Sequence, residues 1–170
     1  KPSLRQFICA GGDRPENGMD GHLDFLIDID LRPVLTPDPN GRIDYRFQRN
    51  LILVKAGMRV AIVTPPTLGA RHGVTVKARD VKAEDGKPVR LTLLDGLTET
   101  EDRGVRVLTT TQDGELDWDS KRGEMRVSTH KVVDSVDLSL GNLKFIGNVT
   151  VQRNIEDGMT VEIQGDLTVK

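Results

Sequence analysis

The sequence predicts an all-β protein, or a β-rich one with only short helical turns. Val, Ile, Leu and Thr recur in short alternating runs, and 17 glycines and 8 prolines interrupt those runs. Helical periodicity is nearly absent, and prolines recur too often between residues 30 and 90 for a long helix to form there. We therefore expect many short strands, arranged as a compact N-terminal β-domain that leads into a parallel β-helix.

The first predicted strand runs from Asp24 to Leu31, where apolar residues alternate with Asp24, Asp28 and Asp30. Alternation places the apolar side chains on one face of a strand and the aspartates on the other. A second alternating run, Ile43 to Phe47, follows a turn rich in Pro, Asp, Asn and Gly, so the two runs could form a hairpin. Further strands are expected at Leu51–Val54, Arg59–Val63, Val74–Ala78, Val89–Leu93, Val105–Thr109, Glu115–Trp118 and Glu124–Ser128.

A loop with adjacent prolines, Pro65 and Pro66, follows the strand that ends at Val63. It ends at Gly69, where a positive φ costs little. Because such a loop is rigid before it meets a partner, it loses little entropy on docking. We interpret it either as a structural corner of a barrel or sandwich, or as a protein-binding ridge. In the second interpretation the candidate binding residues are Arg49, Pro65, Pro66, Thr67 and Leu68.

The C-terminal part contains a repeat. The run Ile146–Val151 (IGNVTV) is echoed by Gln164–Val169 (QGDLTV) at an offset of 18 residues. In a solenoid, the inward apolar residues of such a repeat stack on those of the next coil. We predict a β-rich domain over residues 1–127 and the start of a parallel β-helix over 128–170. The predicted β-helix core residues are Val149, Val151, Leu167 and Val169.

The ends of the sequence suggest a fragment of a longer protein. It begins Lys1-Pro2 without a Met, and it ends inside a strand-like run. The β-helix is therefore expected to present an open edge near its last residue, and an open edge invites pairing with another chain.

Composition and charge argue against several functions. Lys plus Arg number 24 against 26 Asp plus Glu, with the signs interleaved, which argues against nucleic acid as a partner. No apolar run approaches the roughly 18 residues of a membrane span, so we expect no membrane insertion. A single cysteine, Cys9, excludes an internal disulfide framework and favours a reducing compartment.

No pattern in the sequence indicates a catalytic residue, a bound metal or a cofactor. The three histidines have no partner at ligand spacing, and no serine lies in a Gly-x-Ser-x-Gly turn. Neither a P-loop nor a dinucleotide fingerprint is present. The polar cluster most suited to a ligand or a metal is the face of Asp24, Asp28 and Asp30, together with Arg46. A solvated strand face is the simpler interpretation.

Several segments resemble one bacterial family. The stretch Val54–Gly69 (VKAGMRVAIVTPPTLG), followed by Gly73–Val76 (GVTV), is similar to the flagellar assembly protein A (FapA) family, long carried as a domain of unknown function. Gly18–Gly21, Gly86–Val89 and Val136–Val149 also resemble that family, in the same order. The family pattern usually has a glycine shortly after the position of Val76, where this chain reads Lys77-Ala78-Arg79.

The resemblance implies a β-rich N-terminal domain and a right-handed parallel β-helix, in a cytoplasmic bacterial protein linked in some members to flagellar assembly and cell polarity. It implies no catalytic residue. We therefore expect a non-enzymatic scaffold or localisation protein, with a polar location as a further expectation, that contacts protein partners. Two alternatives stay open. One is a polymer-forming β-helix resembling bactofilins, which self-associates through the β-helix edge, and the other is a small-ligand- or metal-binding domain.

Overall fold

The computed structural model describes residues 11–30, 44, 46 and 51–170. Within these residues the chain forms strands and no helix, so the predicted all-β class is confirmed. No described segment forms a helix long and apolar enough to cross a membrane. The strands are β1 (His22–Phe25), β2 (Leu53–Val54), β3 (Arg59–Thr64), β4 (Gly73–Val74), β5 (Asp80–Val81), β6 (Thr92–Leu93), β7 (Leu97–Asp102), β8 (Val105–Thr110), β9 (Gly114–Asp119), β10 (Glu124–Ser128), β11 (His130–Val133), β12 (Leu143–Phe145), β13 (Asn148–Val151), β14 (Val161–Ile163) and β15 (Leu167–Val169).

The chain divides into two compact units. The first contains the described residues up to Asp24 together with Val63–Val89, and the second contains the described parts of Phe25–Ile62 and Arg90–Lys170. The first unit is built around short backbone pairings. β4 pairs antiparallel with β5, and isolated bridges join Asp13 to Val74 and Glu16 to Arg71.

A tight turn replaces most of the predicted strand Val74–Ala78. Only Gly73–Val74 is extended, and the chain then reverses so that Thr75 N–H donates to the carbonyl of Arg79 at 2.8 Å. Ala78 adopts a φ of 56°, in the left-handed region that side chains other than glycine rarely enter.

The first predicted strand is shorter than expected and begins earlier. β1 ends at Phe25, and the chain bends at Leu26, whose N–H donates to the carbonyl of Val60 at 2.9 Å. The alternation of exposure nevertheless continues to Asp30, with the aspartates on the exposed side. The hairpin partner predicted at Ile43–Phe47 lies outside the described residues, apart from positions 44 and 46.

Two four-stranded sheets supply the upstream core. Their strand orders are β1-β3-β8-β7 and β2-β9-β10-β6. Within the second unit, the ring of Phe25 packs edge-on against Trp118, with 5.8 Å between ring centroids. β7 was not predicted; it pairs along its whole length with β8 and exposes every residue after Leu97.

The C-terminal part is a parallel β-solenoid. One ladder has the order β11-β13-β15 and the other pairs β12 with β14, and both ladders step by 18 residues per coil. The inward side chains form one core cluster that includes Val136, Phe145, Val149 and Val151. Burying such side chains contributes roughly 1.5–3 kcal/mol each before the entropy of ordering the chain is subtracted.

The predicted β-helix core residues differ in burial. Val149 and Val151 are buried, whereas Leu167 and Val169 are 45% and 50% exposed. The later pair stacks in register on the earlier pair. The assignment of Leu167 and Val169 to the β-helix core stays a prediction.

Polar contacts between coils reinforce the ladders. The side-chain oxygens of Asn142 and Asn148 accept the N–H groups of Thr160 and Asp166 at 2.8 and 2.9 Å, each 18 residues downstream. At the corner of the coil, Gly147 has a φ of 136°, and an added Cβ there would overlap the carbonyl oxygen of Thr129. The small residue of the sequence repeat is thus required by the close approach of two coils.

Residues from the upstream sequence contact the first coil. Leu51 and Leu53 pack against the solenoid core, and Lys131 of β11 pairs with Glu115 of β9 at 2.7 Å. The N–H of Asn142 also donates to the carbonyl of Arg46 at 2.7 Å. These contacts join residues on the two sides of the domain boundary predicted between residues 127 and 128. The boundary itself stays a prediction.

Candidate protein-interaction site

Two largely exposed apolar residues of the first unit lie on neighbouring segments of the chain. Leu68 is 79% exposed and Met19 is 72% exposed, the highest values among the large hydrophobic residues that the structure describes. Their segments are joined by two hydrogen bonds: Thr67 N–H donates to the carbonyl of Met19 at 2.9 Å, and Met19 N–H donates to Thr67 Oγ1 at 2.7 Å. We call Met19 and Leu68 the apolar ridge.

The loop that carries Leu68 is fixed by backbone hydrogen bonds. The carbonyl of Thr67 accepts the N–H of Gly86 at 2.9 Å, and Ala70 N–H donates to the carbonyl of Glu16 at 2.8 Å. Pro65 and Pro66 have no N–H to satisfy, and their rings restrict φ. The exposed side chain of Leu68 is therefore presented by a backbone that is already ordered.

Glycines allow the segments around the loop to approach closely. An added Cβ on Gly18 would overlap the carbonyl oxygen of Thr67, and one on Gly86 would overlap that of Met19. Gly69 does not adopt the positive φ that the sequence suggested. Its Cβ position would instead lie 2.8 Å from the Cβ of Ala83, so close packing explains this glycine.

Two carboxylates flank the ridge in fixed positions. Asp20, next to Met19, accepts the N–H of Lys87 at 2.7 Å, and Asp85 accepts the N–H of Gly69, next to Leu68, at 2.8 Å. Each carboxylate uses one oxygen in these bonds. The two aspartates and the residues that donate to them all belong to the first unit. The ridge is thus an apolar surface with negative charge beside it.

The second unit contains a groove of about 350 Å³ beside the solenoid. Its apolar wall comes from Phe145, Ile146 and Ile163, and its charged rim carries Lys55, Lys144 and Glu162. Lys144 pairs with Glu162 at 2.8 Å, and this hydrogen bond raises the pKa of the lysine. We call this cavity the lysine groove.

The turn that carries Lys55 is firmly held. The buried hydroxyl of Thr110 donates to the carbonyl of Lys55 at 2.5 Å, and Ala56 N–H donates to Asp113 Oδ1 at 2.7 Å. Among the described residues, the ammonium group of Lys55 has no ion pair. Among the described charges of its rim, the groove therefore has one cation, Lys55, outside an ion pair.

Two family models match the sequence of the chain. The profile of the Flagellar Assembly Protein A N-terminal region matches residues 2–121, and the profile of the Flagellar Assembly Protein A beta solenoid domain matches residues 129–170. The chain belongs to the Flagellar Assembly Protein A family. The family is named for flagellar assembly. No curated protein and no solved structure matches the chain significantly.

In this family member, the structure places four of the five predicted binding residues in one exposed loop. Pro65, Pro66, Thr67 and Leu68 follow β3, whereas Arg49 lies outside the described residues. Met19 is not among the residues that the sequence predicts as a binding site. The signal for it was the Gly18–Gly21 segment, because closely spaced glycines around an exposed methionine indicate a backbone packed against a neighbour.

The polar cluster considered for a ligand or metal has other contacts. Asp24 pairs with His22 at 3.0 Å, and Arg46 pairs with Asp44 at 2.6 Å. Side-chain and backbone hydrogen bonds from Arg46 lower the pKa of Asp44 to about 2. The described residues contain no group of three or more His, Cys, Asp or Glu side chains suited to hold a metal ion.

Proposed function

We propose that this Flagellar Assembly Protein A family member is a non-enzymatic assembly scaffold that binds a protein partner through the apolar ridge. The observation that carries the proposal is the placement of two largely exposed apolar residues, Met19 and Leu68, on segments that are joined by hydrogen bonds between Met19 and Thr67. The family name supports a role in flagellar assembly. A cytoplasmic and polar location is part of the same proposal.

Rigidity makes this loop better suited to docking than an ordinary surface loop. Single exposed apolar residues are common on proteins and need no explanation. Here, however, two of them lie on adjacent, hydrogen-bonded segments, and the proline pair removes conformations that a flexible loop would lose on binding. Binding therefore costs little conformational entropy in this loop.

The solenoid supports the proposal as a rigid platform. Parallel coils add about 4.8 Å of length each, because that is the spacing of hydrogen-bonded strands. The asparagine bonds and the Lys144–Glu162 and Arg153–Asp134 ion pairs tie successive coils together. A stack of repeats of this kind offers an extended, rigid surface for further contacts of the protein.

A pull-down from the lysate of a flagellated bacterium tests the proposal. The bait is the wild-type chain, with Leu68→Ser as the test variant and Val132→Thr as a control that alters an exposed apolar residue elsewhere. We expect a partner that wild type and control retain and that Leu68→Ser loses, with unchanged circular dichroism. A second variant, Pro65→Ala with Pro66→Ala, should bind the same partner more weakly. Equal recovery with every folded bait would show that the ridge is not the binding site.

A further inference from the structure

We propose that the apolar ridge of one copy of this chain docks into the lysine groove of a second copy. This inference rests on the proposed function, because it names the partner of the same ridge. The ridge carries two largely exposed side chains, Met19 and Leu68, and the groove is a cavity of about 350 Å³ whose lining includes apolar residues. Cavities of roughly 300–1,000 Å³ are the size that accommodates small bound groups.

The apolar surfaces match in chemistry. Methionine and leucine are flexible or branched aliphatic side chains that fill irregular hollows. The groove offers them the half-buried Ile146 and Ile163, and Ile163 packs against the buried solenoid core that contains Phe145. Because the core positions these residues, the hollow exists before docking and need not be formed by it.

Charges match as well. Asp20 and Asp85 flank the ridge, and the rim of the groove carries Lys55 beside the ion pair of Lys144 with Glu162. Lys55 has no ion pair among the described residues, so it is the cation that an incoming carboxylate would meet. Complementary charge increases the association rate and fixes the orientation of an interface more than it increases affinity. The second copy therefore satisfies both the apolar and the ionic requirements of the ridge.

The contact is heterologous, because the ridge and the groove are different surfaces on every copy. Each docked copy still offers a free ridge or a free groove, so the contact repeats into a chain or a ring. Two anchoring side chains bury far less than the roughly 1,600 Å² of a standard interface. We therefore expect weak self-association, with a dissociation constant on the order of 0.1 mM. Sedimentation equilibrium over a concentration series is suited to that range.

Two complementary variants provide the decisive experiment. Met19→Ser with Leu68→Ser removes the ridge, and Lys55→Glu reverses the charge of the groove. Each variant alone should self-associate about tenfold more weakly than wild type, the effect expected when a hot-spot residue is lost. A mixture of the two contains one intact ridge and one intact groove, so it should form a dimer of twice 18.8 kDa and nothing larger. Lys121→Glu, an exposed charge reversal in the turn before β10, is the control and should behave as wild type.

Several results would overturn the inference. One is a wild-type chain that stays at 18.8 kDa up to about 1 mM, well above the association range expected for a contact of this size. Others are self-association that persists in the ridge variant, and a mixture that forms no dimer. A monomeric wild type whose Leu68→Ser variant still loses a partner in the pull-down would refute this inference while leaving the proposed function intact.

Discussion

Ala78 is a residue whose backbone conformation opposes its side chain. Its φ of 56° lies in the left-handed region, which costs L-residues about 1–2 kcal/mol and glycine much less. Ala78→Gly removes that strain but adds freedom to the unfolded chain, worth about 0.5–1 kcal/mol. We therefore predict a net stabilisation of about 0.5 kcal/mol, measured by urea denaturation.

Ala70→Gly is the matched control for this prediction. Ala70 is also an exposed alanine of the first unit, but its φ is not positive. The substitution there adds freedom to the unfolded chain without relieving strain, so it should destabilise the protein by about 0.5–1 kcal/mol. Equal effects of the two substitutions would contradict the assignment of strain to Ala78.

Some of these residues could be predicted from the sequence, and others could not. Pro65 and Pro66 mark a rigid exposed loop from the sequence alone, because proline restricts φ wherever it occurs. Met19 could not be chosen in the same way, since its exposure depends on hydrogen bonds to Thr67, which lies 48 residues away. Gly69 shows the opposite error: a glycine was assigned to a positive φ, whereas close packing against Ala83 is the actual requirement.

At the scale of the elements, a substitution at the solenoid corner, Gly147→Ala, is expected to destabilise the protein. Gly147 combines a φ of 136° with a carbonyl oxygen of the preceding coil where a Cβ would lie. Gly147→Ala therefore adds backbone strain and a clash in a packed region, and we expect a loss of about 3 kcal/mol or more in the free energy of unfolding. Urea denaturation followed by circular dichroism measures it.

Gly104 is the comparison residue for that substitution. It lies in the turn of the β7–β8 hairpin with a φ of 81°, and nothing lies within 4 Å of its Cβ position. Gly104→Ala should therefore cost only the backbone term, about 1–2 kcal/mol. If the two substitutions cost the same, close approach between coils is not what requires Gly147.

Elements differ in how predictable they are, and the reason is burial. The solenoid was predictable because an inward apolar position recurs every 18 residues, and the ladders of β13 and β15 use that register. β7 reads LTETED and has no buried face, so it lacks the alternation that marks a half-buried strand. Pairing with β8 makes it a strand, and sequence periodicity does not report pairing.

For the whole molecule, the sequence predicted the all-β class, the solenoid and the family, and the structure supplied the relation between distant segments. The ridge needs residues 19 and 68, and the groove needs residue 55 beside residues 144–164. No local pattern connects such positions, because tertiary packing brings them together. The family resemblance could therefore locate the loop of Pro65 and Pro66 but not the carboxylates beside it or the groove.

The dependence of the solenoid on upstream residues is the prediction that belongs to the whole chain. Leu51 and Leu53 pack on its core, and the ion pair of Lys131 with Glu115 is less exposed than any other that the described residues form, at 29% and 14%. A polypeptide of residues 128–170 lacks these partners, and its size is near the roughly 40-residue limit below which domains rarely fold unaided. Fewer than three full coils are also marginal for a repeat fold.

We therefore expect the isolated 128–170 polypeptide to give a disordered circular dichroism spectrum and no cooperative urea transition, whereas the full chain unfolds cooperatively. Dilution should not change the result, which separates intrinsic instability from aggregation. A cooperative transition in the isolated polypeptide would instead mean that the solenoid coils hold their own core, and that residues 127 and 128 mark a true folding boundary. In that case Leu51, Leu53 and Glu115 would serve to join the solenoid to the upstream strands rather than to stabilise it.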